Sequence, residues 1–177
     1  MARIEARLAA LGLALPPAFA PPPGVVLPFV NVRLIGRRGV ISGHGPQSPE
    51  GPLAQPLGKV GRELTLEQGY AAAKLTVLSM LGSLQRALGD LDRVAQWVRI
   101  FGMVNCAPGF VRQPAVINGF SDLILELWGA PKPERMRAAP SAWPNCRLGC
   151  RWKSRARSRS SRPDRSRPIL RVSSQTR

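Results

Sequence analysis

The chain has 177 residues, enough for one domain and an appendage, and its formal net charge is +16. That charge is uneven: residues 1–129 hold 12 Lys and Arg against 8 Asp and Glu, a net of +4, whereas residues 130–177 hold 14 against 2, a net of +12. The basic composition therefore does not make the first part a nucleic-acid-binding domain. Three cysteines are too few for a disulfide framework, and no apolar run is long enough to span a membrane. We expect a cytoplasmic protein.

The N-terminal segment predicts a short surface helix that covers the core. The stretches LAALGLAL and AFA resemble an export signal, but Glu5 lies in the supposed positive region and Pro21 would be the first mature residue. Apolar residues instead recur at helical spacing: Ile4, Leu8, Leu11 and Leu15. The sequence PPAFAPPPG at residues 16–24 cannot continue a helix, because proline lacks the amide donor.

Two strands and a long loop are predicted next. The strands are VVLPFVNVRLI (25–35) and GVISG (39–43), with residues 36–38 turning between them. Residues 44–61, HGPQSPEGPLAQPLGKVG, form a Gly- and Pro-rich loop. Loops of this length in compact domains are usually functional or mobile.

The remaining elements of the domain are a helix, a strand and a second helix. Thr65 and Gln68 have the spacing of a capping box. One apolar face follows at steps of three or four, and Gly89 is a natural stop; the face comprises Leu66, Tyr70, Ala73, Val77, Met80, Leu84 and Leu88. VAQWVRIFGMV (94–104) predicts a strand. The second helix is expected from Pro114 to about Trp128, ended by Gly129.

This order predicts the α+β class, with two helices packed on one face of a sheet. A final strand or two would be expected, and the irregular tail does not supply them. We therefore predict an incomplete domain at residues 1–129 and a basic, disordered tail at residues 130–177.

Five stretches carry a family resemblance: LGLALP, VISGHGP, GKVGRELTLEQGYAAAKL, LGDLDRVAQWVRIFGMVN and GFVRQPAVINGFSDLILELWG. They lie in order and cover residues 11–129 almost continuously. In these stretches the chain resembles the Rid (YjgF-like) family of enamine/imine deaminases, also known as L-PSP-type endoribonucleases. The resemblance implies a chorismate-mutase-like fold and a homotrimer with ligand clefts between subunits.

The tail lacks the ending of the family's longer-chain branch, which is a segment of the type GxHARSA(V/I)GVAELP followed by a strand of the type PVEVE. Rereading each codon from its third base recovers this ending. Met136 gives alanine if Arg137 is written CG, while Trp143 and Trp152 give alanine and glutamate with no codon choice at all. With permitted third bases, residues 134–156 become AHARSAIGVAELPLGVPVEVEG. We therefore predict that a one-nucleotide frame change near residues 129–134 produced the tail.

The resemblance implies hydrolysis of reactive enamine or imine intermediates, of the 2-aminoacrylate type, to 2-oxo acids and ammonia. An arginine would capture the substrate carboxylate and an ordered water would attack, without a metal or organic cofactor. The parent family is enzymatic, but we expect activity to be impaired in this chain. The alternatives are a non-enzymatic ligand-binding or chaperone-like module, and an RNA-binding or endoribonuclease protein.

Five candidate site residues follow from the resemblance. Ser42 and Asn118 match pocket positions and would orient substrate or water; a turn hydroxyl and a helix-surface amide are the plain structural alternatives. Phe29 and Asn31 would line the same cleft, with core packing or edge solvation as their alternatives. Arg137 lies almost where the family's carboxylate-binding arginine would be, but its flanks are shifted, and a solvated arginine is the alternative.

Other reactive side chains suggest no site of their own. His44 is the only histidine, and a surface-loop position is expected because no catalytic triad can be assembled around it. Cys106 is expected to be a packed or loop thiol, and Cys146 with Cys150 provides too few ligands for zinc. The Arg/Ser-rich run at 151–167 would bind nucleic acid only non-specifically, through phosphate neutralisation.

Sequencing the gene tests the predicted frame change. We expect the DNA over codons 134–156 to encode the HARSA-to-VEVE ending in the neighbouring frame. Codon choices that cannot be reread in this way would disprove the frame change.

Overall fold

The computed structural model of the protein describes residues 2–129 and 170–175. In chain order the elements are helix α1 (Arg3–Ala10), strands β1 (Val32–Ile35) and β2 (Arg38–Ile41), helix α2 (Leu66–Leu88), a 3-10 turn (Leu91–Arg93), strand β3 (Val94–Phe101), helix α3 (Gln113–Trp128) and strand β4 (Leu170–Gln175). The four strands form one sheet in the order β1-β2-β4-β3. The predicted α+β class is confirmed.

Helix α2 begins and ends where the sequence predicts. The Thr65 side chain accepts from the Gln68 amide at 3.2 Å, and the Gln68 side chain accepts from the Thr65 amide at 2.8 Å. These two bonds satisfy amides that the first helical turn leaves without partners. At the other end Gly89 takes the left-handed conformation, with φ of 79°. Side chains rarely adopt that conformation, so glycine suits the cap.

The sheet combines antiparallel and parallel pairing. Strands β1 and β2 form an antiparallel hairpin, with Val32 opposite Ile41 and Ile35 opposite Arg38. Helix α2 then connects β2 to β3, and β4 lies between these two strands, parallel to both. The crossover thus leaves room for one strand in the middle of the sheet.

Strand β4 corrects one detail of the sequence prediction, because the tail was expected to supply no strand. Its residues 170–175 pair with β2 from Arg38 to Ile41 and with β3 from Val94 to Phe101. An unfilled gap between β2 and β3 would leave two rows of backbone donors and acceptors without partners. Because every residue except proline can both donate and accept in a strand ladder, the proline-free stretch 170–175 can form these pairs. The rest of the tail, residues 130–169 and 176–177, lies outside the described residues.

Three strand boundaries also differ from the prediction. Strand β1 begins at Val32 rather than residue 25, and Val26 in the missing part is 87% exposed. Pro28 interrupts that part and cannot donate to a neighbouring strand. Strand β2 spans Arg38–Ile41 rather than 39–43, and β3 ends at Phe101 rather than 104.

The core lies between the helices and one face of the sheet. The sheet contributes Ile41, Val94 and Trp97 to it. The Trp97 ring meets the rings of Phe120 and Trp128 edge-on, with centroids 6.3 and 5.6 Å away. Edge-to-face contacts of this kind are favourable beyond the area they bury. Ile4 and Leu8 of α1 are buried as predicted, whereas Leu11 and Leu15 lie beyond the helix end.

Helices α2 and α3 approach each other closely at Gly119. A methyl group added there would lie 2.2 Å from the backbone oxygen of Tyr70. Because backbone cannot move aside as a flexible side chain can, this crossing requires glycine. The helix pair forms a rigid layer against which the loops of the candidate site are packed.

Candidate functional site

Ser42 and Asn31 come together where the β1–β2 hairpin ends. The Ser42 amide donates to the Asn31 carbonyl at 3.0 Å. The Ser42 hydroxyl lies 3.0 Å from the Val30 carbonyl and 3.1 Å from the Asn31 carbonyl, both of which can only accept. The hydroxyl proton is therefore engaged by backbone, and the oxygen lone pairs remain to accept from another group. Both residues are half-buried.

Phe29 lies just before this pair and is exposed. Its side chain is 52% exposed and that of its neighbour Val30 is 55% exposed. The alternative of core packing is therefore excluded for Phe29. An exposed aromatic ring beside a polar strand end can contact a ligand or another subunit.

His44 is buried, which corrects the expectation of a surface-loop histidine. Its side chain is 9% exposed. Nδ1 lies 2.8 Å from the Ser42 carbonyl oxygen, and Nε2 lies 2.9 Å from the Ser83 hydroxyl on α2. The Arg86 guanidinium donates to the same hydroxyl at 3.1 Å and to the Pro16 carbonyl at 3.1 Å. We call Ser42, His44, Ser83 and Arg86 the His44 chain.

The long loop after Ser42 is fixed to α2 at a second point. The buried Ser79 hydroxyl donates to the Gln47 side-chain oxygen, and the Gln47 amide donates to the Gly51 carbonyl at 2.7 Å. Gln47 and Ser79 are only 4% and 2% exposed. Buried polar groups of this kind are stable because they are paired. The loop therefore forms a defined wall beside Ser42.

Asn118 does not join this cluster among the described residues. Asn118 is exposed on α3, and within the described part of the chain no hydrogen bond connects it to Ser42 or Asn31. Arg137 lies outside the described residues. Ser42 and Asn31 are thus neighbours, with Phe29 two residues before Asn31, and the shared pocket stays a prediction for all five residues.

Three carboxylates, Glu5, Asp90 and Asp92, lie within 4.8 Å of one another. Asp92 accepts from the amides of Arg3 and Ile4 at 2.6 and 3.1 Å, which caps α1. Asp90 caps the 3-10 turn, and Glu5 accepts from the Leu91 amide at 3.0 Å. These bonds fix α1 to the domain, so the cluster has a structural function.

Sequence reasoning missed Ser83, Arg86 and the buried position of His44. One signal was available: Ser79, Ser83 and Arg86 recur at three- and four-residue spacing on α2 and therefore share one side of the helix. No function was predicted for that side of the helix. Its polar side chains form hydrogen bonds with the chain segments that cover it.

The fold and the sequence together define the class of protein. The family model described as "YjgF/chorismate_mutase-like, putative endoribonuclease" matches residues 5–149. The chain therefore belongs to the YjgF/chorismate mutase-like family. The stretches quoted above end at Gly129, whereas the family match continues to residue 149, within the basic tail. The domain boundary and the frame change both stay predictions.

Similar proteins agree with this assignment. Protein TCP17 of Trypanosoma cruzi is 37% identical over 137 residues, 77% of this chain and 82% of the relative. A crystal structure described as a "putative endoribonuclease" from Shewanella oneidensis MR-1 has a TM-score of 0.63 and 29% identity, over 77% of this chain and 83% of that one. Atu1372 of Agrobacterium tumefaciens, described as having "unknown function", has a TM-score of 0.62 and 30% identity, over 78% and 81%.

The helices described here are not membrane spans. Among residues 2–129 and 170–175, no helix is both long enough and apolar enough to cross a bilayer.

Burial of His44 predicts a pH-dependent stability. Burial lowers the pKa of His44 below its ordinary value of 6.5 and the nearby Arg86 charge lowers it further, while the bond to the Ser42 carbonyl opposes both. In the unfolded chain His44 becomes protonated as the pH falls through about 6.5, whereas burial in the folded chain disfavours the protonated ring. Stability is therefore complete above that pH and is lost as pH falls from 6.5 towards the folded-state pKa.

Urea unfolding between about pH 7.5 and 5.5, above the range where carboxylates titrate, tests this. The wild-type midpoint should fall with pH more steeply than the midpoint of His44→Asn, which has no imidazole to protonate. Parallel profiles for the two proteins would contradict it.

Proposed function

We propose that this domain descends from hydrolases that convert reactive imines or enamines of the 2-aminoacrylate type into 2-oxo acids and ammonia. The observation that carries the proposal is the cluster at the hairpin end. It combines an oriented Ser42 hydroxyl, the adjacent Asn31 and the exposed Phe29 ring. These are three of the positions that the family resemblance assigns to the ligand cleft.

The chemistry requires little from the protein beyond orientation. Water adds to the C=N carbon of the imine, the nitrogen leaves as ammonia, and the carbon keeps the oxygen as a ketone. Ser42 suits this reaction because its proton is engaged by backbone carbonyls, so its oxygen can accept from the water or from the substrate N–H. A fixed hydroxyl aligns the reactants without taking part in bond making.

The cleft is proposed to be completed by a second subunit of a homotrimer. Ser42 and Asn118 lie on different elements of one protomer, and a cleft between subunits would let one copy supply what the other lacks. The outer face of the sheet is suited to such contacts, because its apolar side chains are exposed: Ile35 at 60%, Val40 at 45% and Val98 at 45%. Exposed apolar groups on a sheet face commonly mark contact with another chain.

Activity is proposed to be weak in the chain as written. The family's arginine belongs to the HARSA segment, and the predicted frame change replaces this segment. A bidentate arginine binds a carboxylate through two charge-assisted bonds and fixes its geometry. Without it the substrate would bind weakly and in several orientations.

An imine-hydrolysis assay tests the proposal, with the imine made in situ from an amino acid by an oxidase. The protein with its reading frame restored should release ammonia faster than buffer, and the chain as written should release much less. In the restored protein, Ser42→Ala should lower turnover about tenfold, the effect of losing one orienting hydrogen bond. Thr76→Ala, which removes only a bond within α2, is the control and should leave turnover unchanged.

Ammonia release no faster than in buffer would contradict deaminase function. A second candidate is ribonuclease activity, which the family description and the Shewanella protein's description both name. Cleavage of RNA by the restored protein, together with the absence of imine turnover, would favour it.

A further inference from the structure

His44 occupies a place that the proposed mechanism does not explain. It is the only histidine of the chain, it is buried, and both of its ring nitrogens lie within hydrogen-bond distance of a partner. A histidine that merely filled space would not need two polar partners. The arrangement of donors and acceptors around the ring identifies its function.

The proton positions follow from what each partner can do. The Ser42 carbonyl can only accept, so Nδ1 must carry a proton and donate to it at 2.8 Å. In a neutral ring Nε2 then has no proton and must accept, so the Ser83 hydroxyl donates to it at 2.9 Å. Arg86 can only donate, and the oxygen of Ser83 accepts from it at 3.1 Å. Along the His44 chain each group donates to the next, from the Arg86 guanidinium to Ser83, from Ser83 to His44, and from His44 to the Ser42 carbonyl.

The Arg86 end of the His44 chain is itself held in place. Arg86 lies one turn after Ser83 on α2 and also donates to the Pro16 carbonyl at 3.1 Å. Gly82 leaves space for this contact, since a methyl group there would lie 3.0 Å from the Pro16 oxygen and 3.3 Å from an Arg86 nitrogen. The ring is thus bonded to the helix through Ser83, whose hydroxyl oxygen also accepts from Arg86.

The bonds at the Ser42 end of the His44 chain determine where Ser42 lies. The residues just before strand β1 hold the Ser42 amide and hydroxyl through the carbonyls of Asn31 and Val30, and the imidazole holds the Ser42 carbonyl. Holding both ends of one residue fixes its backbone rotation. With the backbone fixed, the two carbonyls that accept the hydroxyl proton set the direction of the remaining lone pairs.

We propose that His44, as the neutral Nδ1–H tautomer, is a positioning residue that orients the Ser42 hydroxyl through its backbone carbonyl. The importance of that hydroxyl to substrate rests on the proposed function, but the positioning does not. His44 is not a general base here, because both ring nitrogens are occupied by protein groups and the residue is only 9% exposed.

Nuclear magnetic resonance of the full chain, with only histidine labelled with ¹⁵N, tests the tautomer without any substitution. Since there is one histidine, every ring signal belongs to His44. At about pH 7.5 the spectrum should show one protonated and one unprotonated nitrogen, with the proton on Nδ1. A proton on Nε2, or two nitrogens averaged by exchange, would overturn the proposal.

Two matched variants test the positioning. In His44→Asn the side-chain amide can still donate from near the Nδ1 position, whereas in His44→Gln it reaches the Nε2 position and loses the bond to Ser42. Amide hydrogen exchange at Ser42 should stay within about threefold of wild type in His44→Asn and become about tenfold faster in His44→Gln, the effect of one lost bond. Urea midpoints monitor general stability.

Equal exchange at Ser42 in both variants, at matched urea midpoints, would overturn the proposal and leave His44 a packing residue. If either variant fails to fold, the tautomer measured in the wild-type chain decides. Neither experiment involves substrate, so failure of the imine assay would leave this proposal standing, and failure here would leave the deaminase proposal standing.

Discussion

The structure depends on the complete burial of the middle of α2. Residues 77–84 are all buried, although an amphipathic surface helix would expose half of them. The sheet and α3 cover the apolar sides, and the chain segments around Pro16 and His44–Gln47 cover the side with Ser79 and Ser83. Burying two hydroxyls costs free energy unless each is paired. The loop supplies the partners, and this requirement determines where the loop lies.

That requirement connects the fold to the candidate site. Ser42 directly follows the hairpin, and its position depends on the residues just before β1 and on α2 through His44. The same helix meets α3 at Gly119, where only glycine allows the close approach to Tyr70. Ser42 is thus held by backbone groups before β1 and by the Ser83 side chain of α2 through His44. This explains why a site of small polar residues can be well ordered although much of it lies on loops.

The sequence predicted the elements whose causes are local. The capping box at Thr65, the stop at Gly89 and the start of α3 at Gln113–Pro114 depend on neighbours in sequence, and all three are present. Tertiary contacts decided the rest. Val25 and Val26 have strand-forming side chains but pair with no strand of residues 2–129 and 170–175. Ser83 is polar yet buried, because the partner that satisfies it comes from 39 residues away.

Strand β4 is the clearest case of a tertiary cause. Nothing periodic in residues 170–175 distinguishes them within the tail, and the gap between β2 and β3 gives them their conformation. If the predicted frame change is correct, they occupy a place in the sheet for which the family has its own closing sequence. Backbone pairing would then preserve the sheet, while the arginine that binds substrate would be lost. The same chain would keep its fold and lose activity.

Hydrogen exchange measured by mass spectrometry on a peptide covering residues 42–47 tests most directly whether α2 holds the site. Ser83→Ala should speed exchange in this peptide about tenfold relative to wild type, because the ring of His44 loses its partner on the helix. Thr76→Ala, which alters α2 without touching the loop, should leave it unchanged. If Ser83→Ala also left exchange unchanged, the loop would be held by other contacts, and the connection between α2 and Ser42 would be wrong.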